Sequence, residues 1–168
     1  MADVATFTQD AIAHYAPDID IPQPAVLDQV RRNIELQVDM LREFGAVTAG
    51  ELADLTGSRA KRARTTVDNW RRAHKIVTIR WRDQTLVPGF LLFPDAHPDP
   101  VAQPVLARLA DQGFSDWQAA LWWTVPAPAL DGARPVDLLL KAREASADEA
   151  SRLAGRLVGA ATRRRDWF

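Results

Sequence analysis

The cationic side chains between residues 59 and 82 are the group in this sequence best suited to bind a ligand. Nine Lys and Arg residues face one acid there, Asp68, which gives a net charge of +8, whereas twelve cations and 21 acids elsewhere give −9. Arginine and lysine at this density neutralise phosphates, and the displaced counterions supply most of the non-specific affinity for nucleic acid. The cluster therefore predicts a DNA-binding surface; the alternative is a solvated basic face that meets no polyanion.

A predicted helix from about Thr65 to His74 carries residue types that recognise bases. Threonine contacts the thymine methyl, asparagine pairs with adenine and arginine with guanine in the major groove. Basic residues beside such a helix contact phosphates and fix the register. The predicted DNA-binding residues are Arg59, Lys61, Arg62, Arg64, Thr65, Thr66, Asn69, Arg71, Arg72, Lys75, Arg80 and Arg82. The alternative is a folding unit whose groove-facing side only meets water.

Two helices are predicted before this one. From Pro24, apolar residues recur at three- and four-residue steps up to Phe44, which predicts an amphipathic helix that ends at Gly45. Thr48 and Glu51 form a capping-box pattern at the start of a short helix over 49–55. A basic connector over 58–64 is predicted to loop out before the helix that begins at Thr65.

A hairpin is predicted after the third helix. Apolar and polar residues alternate from Val77 to Arg82, which is typical of a strand. Residues Asp83–Gln84 are predicted to turn the chain, which then returns over 85–87. The order of helix, short helix, helix and hairpin predicts a mainly α protein that begins with a winged helix-turn-helix.

Three prolines between residues 95 and 104 separate the second half of the chain from the first. Four helices are predicted beyond them, over 101–112, 115–125, 135–144 and 146–162. We therefore divide the chain into an N-terminal arm over 1–23 with a short helix near Thr8–Tyr15, a helix-turn-helix domain over 24–94, and a helical domain over 95–168.

Two adjacent tryptophans, Trp122 and Trp123, point about 100° apart on one helix and do not fit a single narrow core stripe. Aromatic residues are enriched at the cores of protein interfaces, so the pair predicts a homodimer contact. The alternative is a wide core that is packed on two sides.

The C-terminal tail combines three arginines with two aromatic residues. Guanidinium groups pair with phosphate or carboxylate, and aromatic rings fill apolar pockets, so the tail is suited to enter a partner's cleft. The residues predicted to bind this partner are Arg163, Arg164, Arg165, Trp167 and Phe168. The alternative is a last helical turn that folds back on its own core.

Several classes of protein are disfavoured by what the sequence lacks. The absence of cysteine excludes disulfides, Cys-based metal sites and thiol nucleophiles. The three histidines lack ligand spacing, and no catalytic or nucleotide-binding motif occurs, so we predict no enzyme, no metal and no cofactor. Without a long apolar run or a signal-peptide pattern, the chain is expected to be cytoplasmic and independent of membranes.

The chain resembles the Xre/MbcA/ParS-like antitoxins of RES–Xre type II toxin–antitoxin systems over roughly residues 45–145. The segments that carry the resemblance are ELADLTG, TTVDNWRRAHKIVTIRW, VPGFLLF and GFSDWQAALWWTVPAPALDGARPVDLLL. Its more specific residues are Trp117, Leu121, Pro128, Leu130, Gly132, Pro135, Asp137, Leu138 and Leu139. The family often has Asn-Pro where this chain has Ala127-Pro128.

This resemblance implies an antitoxin with an all-helical C-terminal domain that dimerises and covers the active-site cleft of a RES toxin, an enzyme that consumes NAD. It places the last helix and the tail over 163–168 toward that cleft. It also implies a DNA-binding first half that represses the protein's own operon. The alternative function is a stand-alone transcriptional regulator whose second half only dimerises or senses a ligand.

Overall fold

The computed structural model describes the backbone of residues 24–56 and 60–162 and the side chains of residues 27–56 and 64–162. Over these ranges the chain is mainly helical with one small antiparallel sheet, which confirms the predicted mainly α class. The helices and strands are α1 (Pro24–Phe44), β1 (Ala46–Thr48), α2 (Ala49–Thr56), α3 (Ala60–Arg72), β2 (Ile79–Trp81), β3 (Gln84–Pro88), α4 (Ala102–Asp111), α5 (Asp116–Thr124), α6 (Pro135–Glu144) and α7 (Ala147–Ala161). The predicted arm over 1–23 lies outside the described residues.

Helix α1 has the predicted bounds and ends at Gly45, whose φ of +66° lies in the left-handed region that favours glycine. The chain divides into two compact units between residues 37 and 38, inside this helix. In the first unit, Leu27, Val30 and Ile34 are 54%, 48% and 48% exposed and lie on one stripe of the helix. No helix in the described part of the chain combines the length and the apolar character needed to cross a membrane.

The three-stranded sheet has the order β1-β3-β2, and both pairings are antiparallel. The predicted hairpin is therefore present, with Ile79 opposite Leu86 and Arg80 opposite Thr85. Its turn lies at residues 82–83, one residue before the predicted turn, because β3 already begins at Gln84. Strand β1 was not predicted, since three residues without alternation form a strand only when a distant partner, here β3, supplies the hydrogen bonds.

Gly89 is the point where the end of β3 comes closest to the end of α1. Its N–H donates a hydrogen bond of 3.1 Å to the carbonyl oxygen of Gly45. A Cβ atom at position 89 would overlap the carbonyl oxygen of Phe44. The close approach of the two backbones therefore requires glycine at this position.

Helix α2 begins with the predicted capping box. The backbone N–H of Thr48 donates to Glu51 Oε2 at 2.7 Å, and the N–H of Glu51 donates to Thr48 Oγ1 at 3.1 Å. These bonds satisfy two groups that an uncapped helix start leaves without partners.

Helix α3 begins at Ala60, so the prediction of a looped-out connector over 58–64 was wrong. Only residues 57–59 separate α2 from α3. The early start has a simple reason: Ala, Lys and Arg are strong helix formers, but they carry no apolar periodicity that would reveal the helix. The helix also ends at Arg72, before the predicted His74, which adopts a φ of +53°.

Two clusters of buried side chains hold the second unit together. The smaller joins α2, α3 and β3 and consists of Leu52, Val67, Ile76, Val87, Leu92 and Ala96. The larger is built mainly by the four helices from α4 to α7 and includes Val105, Leu109, Trp123, Leu139 and Leu157. It also contains Met40, Ile79 and Phe90, so residues on both sides of the predicted boundary at 94–95 share one core. As a division of function, that boundary stays a prediction.

The helices of the second half start and stop close to the predicted residues. Ser115 caps α5 through a capping box with Gln118, and Ser146 caps α7 by accepting from the N–H of Glu149. Gly113 ends the turn after α4 with a φ of +80°. Helix α6 has the predicted bounds, Pro135–Glu144, with proline in its first turn.

A buried ion pair ties the proline-containing segment to α6. Asp99 is completely buried; its Oδ2 accepts from Arg143 Nε at 2.8 Å, and its Oδ1 accepts from the N–H of Val101 at 2.8 Å. Arg143 also donates to the carbonyl oxygen of Phe90 at 2.6 Å. Both carboxylate oxygens of Asp99 thus have a partner, which is the condition under which a buried charge is tolerated.

Candidate nucleic-acid interface

One exposed face of α3 carries most of the predicted base-contacting residues. At about 100° per residue, five positions fall within an arc of about 140° around the helix. They are Arg64, Thr65, Asp68, Asn69 and Arg72, and all five are exposed. Val67 and Trp70 lie on the opposite side and pack in the smaller cluster, so α3 is held by one face and presents the other. Thr66 is half-buried and lies outside the arc.

The hairpin turns one of its faces toward the same side. Arg80 stands opposite Thr85, and cross-strand partners project from the same face of a sheet. Val87 is two residues beyond Thr85, so it shares this face, and it is buried against α2 and α3 in the smaller cluster. Arg80 therefore lies on the face of the hairpin that adjoins the helix pair.

A groove of about 580 Å³ lies between the hairpin turn and the two helices. Residues 48–50 line it at the start of α2, Arg64 and Asp68 line it on α3, and residues 83–85 line it at the hairpin turn. The exposed face of α3 and the tip of the hairpin thus border one concave surface.

Most exposed cations of this region lack a carboxylate partner within the part of the chain that the structure describes. Five of them make no ion pair with any carboxylate among the described residues: Arg64, Arg72, Lys75, Arg80 and Arg82. Their charge remains available to an external anion. The side chains of Lys61 and Arg62, and the whole of Arg59, lie outside the described residues, so their predicted roles stay predictions.

Arg71 differs from these five residues because it pairs within the chain. Its Nε donates to Asp116 Oδ2 at 2.6 Å, and Thr78 donates to the same oxygen through its N–H at 3.1 Å and its hydroxyl at 3.0 Å. The hydrogen bond to Asp116, with its negative charge, raises the pKa of Arg71. This guanidinium therefore joins the end of α3 to the start of α5, and the predicted phosphate contact at Arg71 stays a prediction.

Asp116 was not singled out from the sequence, although three hydrogen bonds meet on it. Its only sequence signal is an acid in the first turn of a helix, directly after the cap Ser115. An acid in the first turn stabilises its own helix, but this does not predict that Arg71 and Thr78 are its hydrogen-bond donors. Arg71 is 45 residues away, and only the fold brings the two together.

The predicted dimer contact through Trp122 and Trp123 was wrong. Their side chains are 2% and 0% exposed and meet edge to face at 5.1 Å in the larger cluster. The two tryptophans project from α5 in different directions, and both are buried in the larger cluster. This corresponds to the alternative of a wide core packed on two sides. A homodimer remains a prediction, but these two side chains do not form its surface.

The tail residues predicted to bind a toxin lie outside the described residues. They are Arg163, Arg164, Arg165, Trp167 and Phe168. The RES toxin as a partner, and the antitoxin function that the resemblance implies, therefore stay predictions.

Comparison with known proteins gives a likeness in fold. No protein-family model matches the chain, and no curated protein matches it. A solved structure titled "NMR structure of Rv2175c" is similar with a TM-score of 0.52 over 85% of this chain and 86% of that chain. The two sequences are 19% identical, so the likeness concerns the fold alone.

Proposed function

We propose that this protein is a winged helix-turn-helix DNA-binding regulator. Helix α3 enters the major groove with its exposed face, and the hairpin lies against the neighbouring backbone as the wing. Asn69 and Arg72 contact base edges, while Lys75, Arg80 and Arg82 contact phosphates. The observation that carries the proposal is that these cations are exposed, and unpaired among the described side chains, beside a helix whose other face is packed.

The order of elements supports this proposal. A capped helix, a three-residue connection, a second helix and an antiparallel hairpin follow one another from residue 48 to residue 88. In helix-turn-helix proteins the second helix recognises the bases while the first crosses the backbone. The groove between α3 and the hairpin turn gives this surface a concave shape beside the proposed recognition helix.

Binding to duplex DNA at several salt concentrations tests the proposal. Each phosphate that the protein neutralises contributes about −0.9 to the slope of log affinity against log salt, so the five exposed cations predict a steep slope. Arg80→Ala should make the slope shallower by about 0.9 and weaken binding to all sequences alike. Fluorescence anisotropy with a labelled duplex measures both quantities.

Arg108→Ala is the matched control. Arg108 is an exposed arginine on α4 that makes no ion pair among the described residues, but it is not part of the α3 face or the hairpin. The same loss of charge at this position should leave the slope unchanged. A slope near zero for the wild type, or equal effects of the two substitutions, would contradict the proposal.

A further inference from the structure

Asp68 is the one acid on the exposed face of α3, and the proposed function does not yet give it a role. It lies between Arg64 and Arg72, four residues from each, and is exposed. An acid at this spacing stabilises a helix when it pairs with a neighbouring arginine. Among the described side chains, however, none forms an ion pair with the Asp68 carboxylate. The negative charge of Asp68 makes a minor contribution to the raised pKa of Arg71, three residues away, while the Asp68 side chain itself stays exposed.

A carboxylate on a DNA-binding face is unfavourable unless it finds a donor. The arginines on either side draw the same stretch of polyanion toward the helix, and the negative charge of Asp68 opposes that approach. A carboxylate only accepts hydrogen bonds, and guanine and thymine offer acceptors at their polar positions in the major groove. Cytosine offers the N4 amino group as a donor, whereas adenine places its N7 acceptor beside its N6 donor.

Resting on the proposed function, we infer that Asp68 is a specificity-determining residue that selects cytosine at one position of the DNA site. Its carboxylate accepts a hydrogen bond from the cytosine N4 amino group, which compensates its approach to the phosphates. At guanine or thymine the carboxylate meets only acceptors, and at adenine the N7 acceptor beside the N6 donor opposes it, so each of these bases weakens the complex. Asp68 therefore acts mainly by excluding sequences, while Arg64 and Arg72 supply attraction.

Selection from a pool of randomised duplexes tests this assignment with the full-length protein and two substitutions. Wild type should enrich cytosine at one position. Asp68→Asn should replace that preference by adenine, because an amide offers both a donor to N7 and an acceptor for N6, with discrimination of about tenfold. Asp68→Ala should lose the preference at that position and bind random DNA more tightly than wild type does.

Asp83→Asn is the control for charge alone. Asp83 is exposed at the hairpin turn and lines the same groove, so its substitution removes the same charge nearby. It should tighten binding to all sequences and leave the selected sequence unchanged. Asp68 is exposed, so its variants should unfold at the same denaturant concentration as wild type, and Asp68→Asn keeps the shape of the side chain if the alanine variant does not fold.

The experimental outcomes distinguish a wrong assignment of Asp68 from a wrong proposal of DNA binding. An identical selected sequence for wild type, Asp68→Asn and Asp68→Ala would overturn the assignment of Asp68 while leaving DNA binding intact. Binding that does not depend on salt or on sequence for any of the proteins would overturn the proposed function, and the assignment with it.

Discussion

Most described arginines of the α3–hairpin region are used differently from most of those in the helical second half, the exceptions being the paired Arg71 and the exposed Arg108. In the second half, Arg134 pairs with Glu43 and Asp137, Arg143 with Asp99, and Arg156 with Asp131. In the α3–hairpin region, Arg64, Arg72, Arg80 and Arg82 have no carboxylate partner among the described residues. The same residue type thus holds the fold together in one region and remains available to a ligand in the other.

The two regions also differ in how their helices are stabilised. The second half buries a large cluster that contains two tryptophans, whereas six residues form the cluster beneath α2 and α3. Since burial of apolar surface is the main source of stability, the smaller region depends more on local hydrogen bonds such as the capping box of α2. The α3–hairpin region thus relies on the larger core for its anchorage, through Asp116 and Ile79.

The largest expected effect comes from breaking a paired arginine. Arg143→Met removes the partner of the fully buried Asp99 and should lower the free energy of unfolding by about 3–5 kcal/mol. Urea denaturation measures this loss. The double variant Arg143→Met/Asp99→Asn should recover part of it, because the buried charge is then gone. Arg72→Ala, at an unpaired arginine, should change stability by less than about 0.5 kcal/mol.

The second prediction concerns the bond that joins the two regions. Asp116→Ala removes three hydrogen bonds and releases Arg71, so stability should fall by about 1–2 kcal/mol, a value discounted because Arg71 is half exposed. The freed guanidinium should also increase non-specific affinity for DNA. Urea denaturation and salt titration of DNA binding measure the two effects. Asp111→Ala, at an exposed acid without an ion-pair partner among the described residues, controls for charge; the same result at both positions would refute the role of Asp116.

A smaller effect is expected at the capping box of the α3–hairpin region. Thr48→Ala should destabilise the protein by about 1 kcal/mol, because the N–H of Glu51 loses its acceptor. Thermal unfolding followed by circular dichroism measures the change. Ser146→Ala, which removes the cap of α7 beside the larger core, provides the matched comparison. A loss of amide-exchange protection confined to α2 for Thr48→Ala would support the greater dependence of this region on local bonds.

The smallest effect is a dependence of stability on pH. The hydrogen bond from the backbone N–H of Thr48, followed by the one from its hydroxyl, lowers the pKa of Glu51 below the ordinary value of 4.5. Because the folded protein holds this proton less tightly than the unfolded chain, the carboxylate stabilises the fold above its ordinary pKa. That contribution is lost as the pH falls through the lowered pKa. The stability difference between wild type and Glu51→Ala should therefore shrink in acid, and a constant difference would contradict this role.

Local signals predicted most of the fold, because the chain marks its helix ends clearly. Pro135, the serine caps at 115 and 146, and Gly45 each act within a few residues of their own position. Strand β1 and the true start of α3 were missed for different reasons. The first depends on a partner about 40 residues away, and the second lies in a cationic stretch without apolar periodicity.

The residue types of the candidate site were predictable from the sequence. Which of its arginines pair within the chain and which stay exposed was not. The sequence could list Arg71 with Arg72, since both are basic and adjacent. It could not show that only Arg71 forms an ion pair, because the acceptor, Asp116, lies on α5. The tryptophan pair shows the same limit. The sequence predicts that Trp122 and Trp123 point in different directions, but not that helices distant in sequence bury both of them.

The close contact at Gly89 limits where this protein is free to change. A larger residue there would push the middle strand of the sheet away from the end of α1 and disturb both neighbouring strands. The hairpin tip and the outward face of α3 are remote from that constraint. If the proposed function holds, relatives of this chain are expected to differ in the nucleotides they prefer while they keep glycine at position 89.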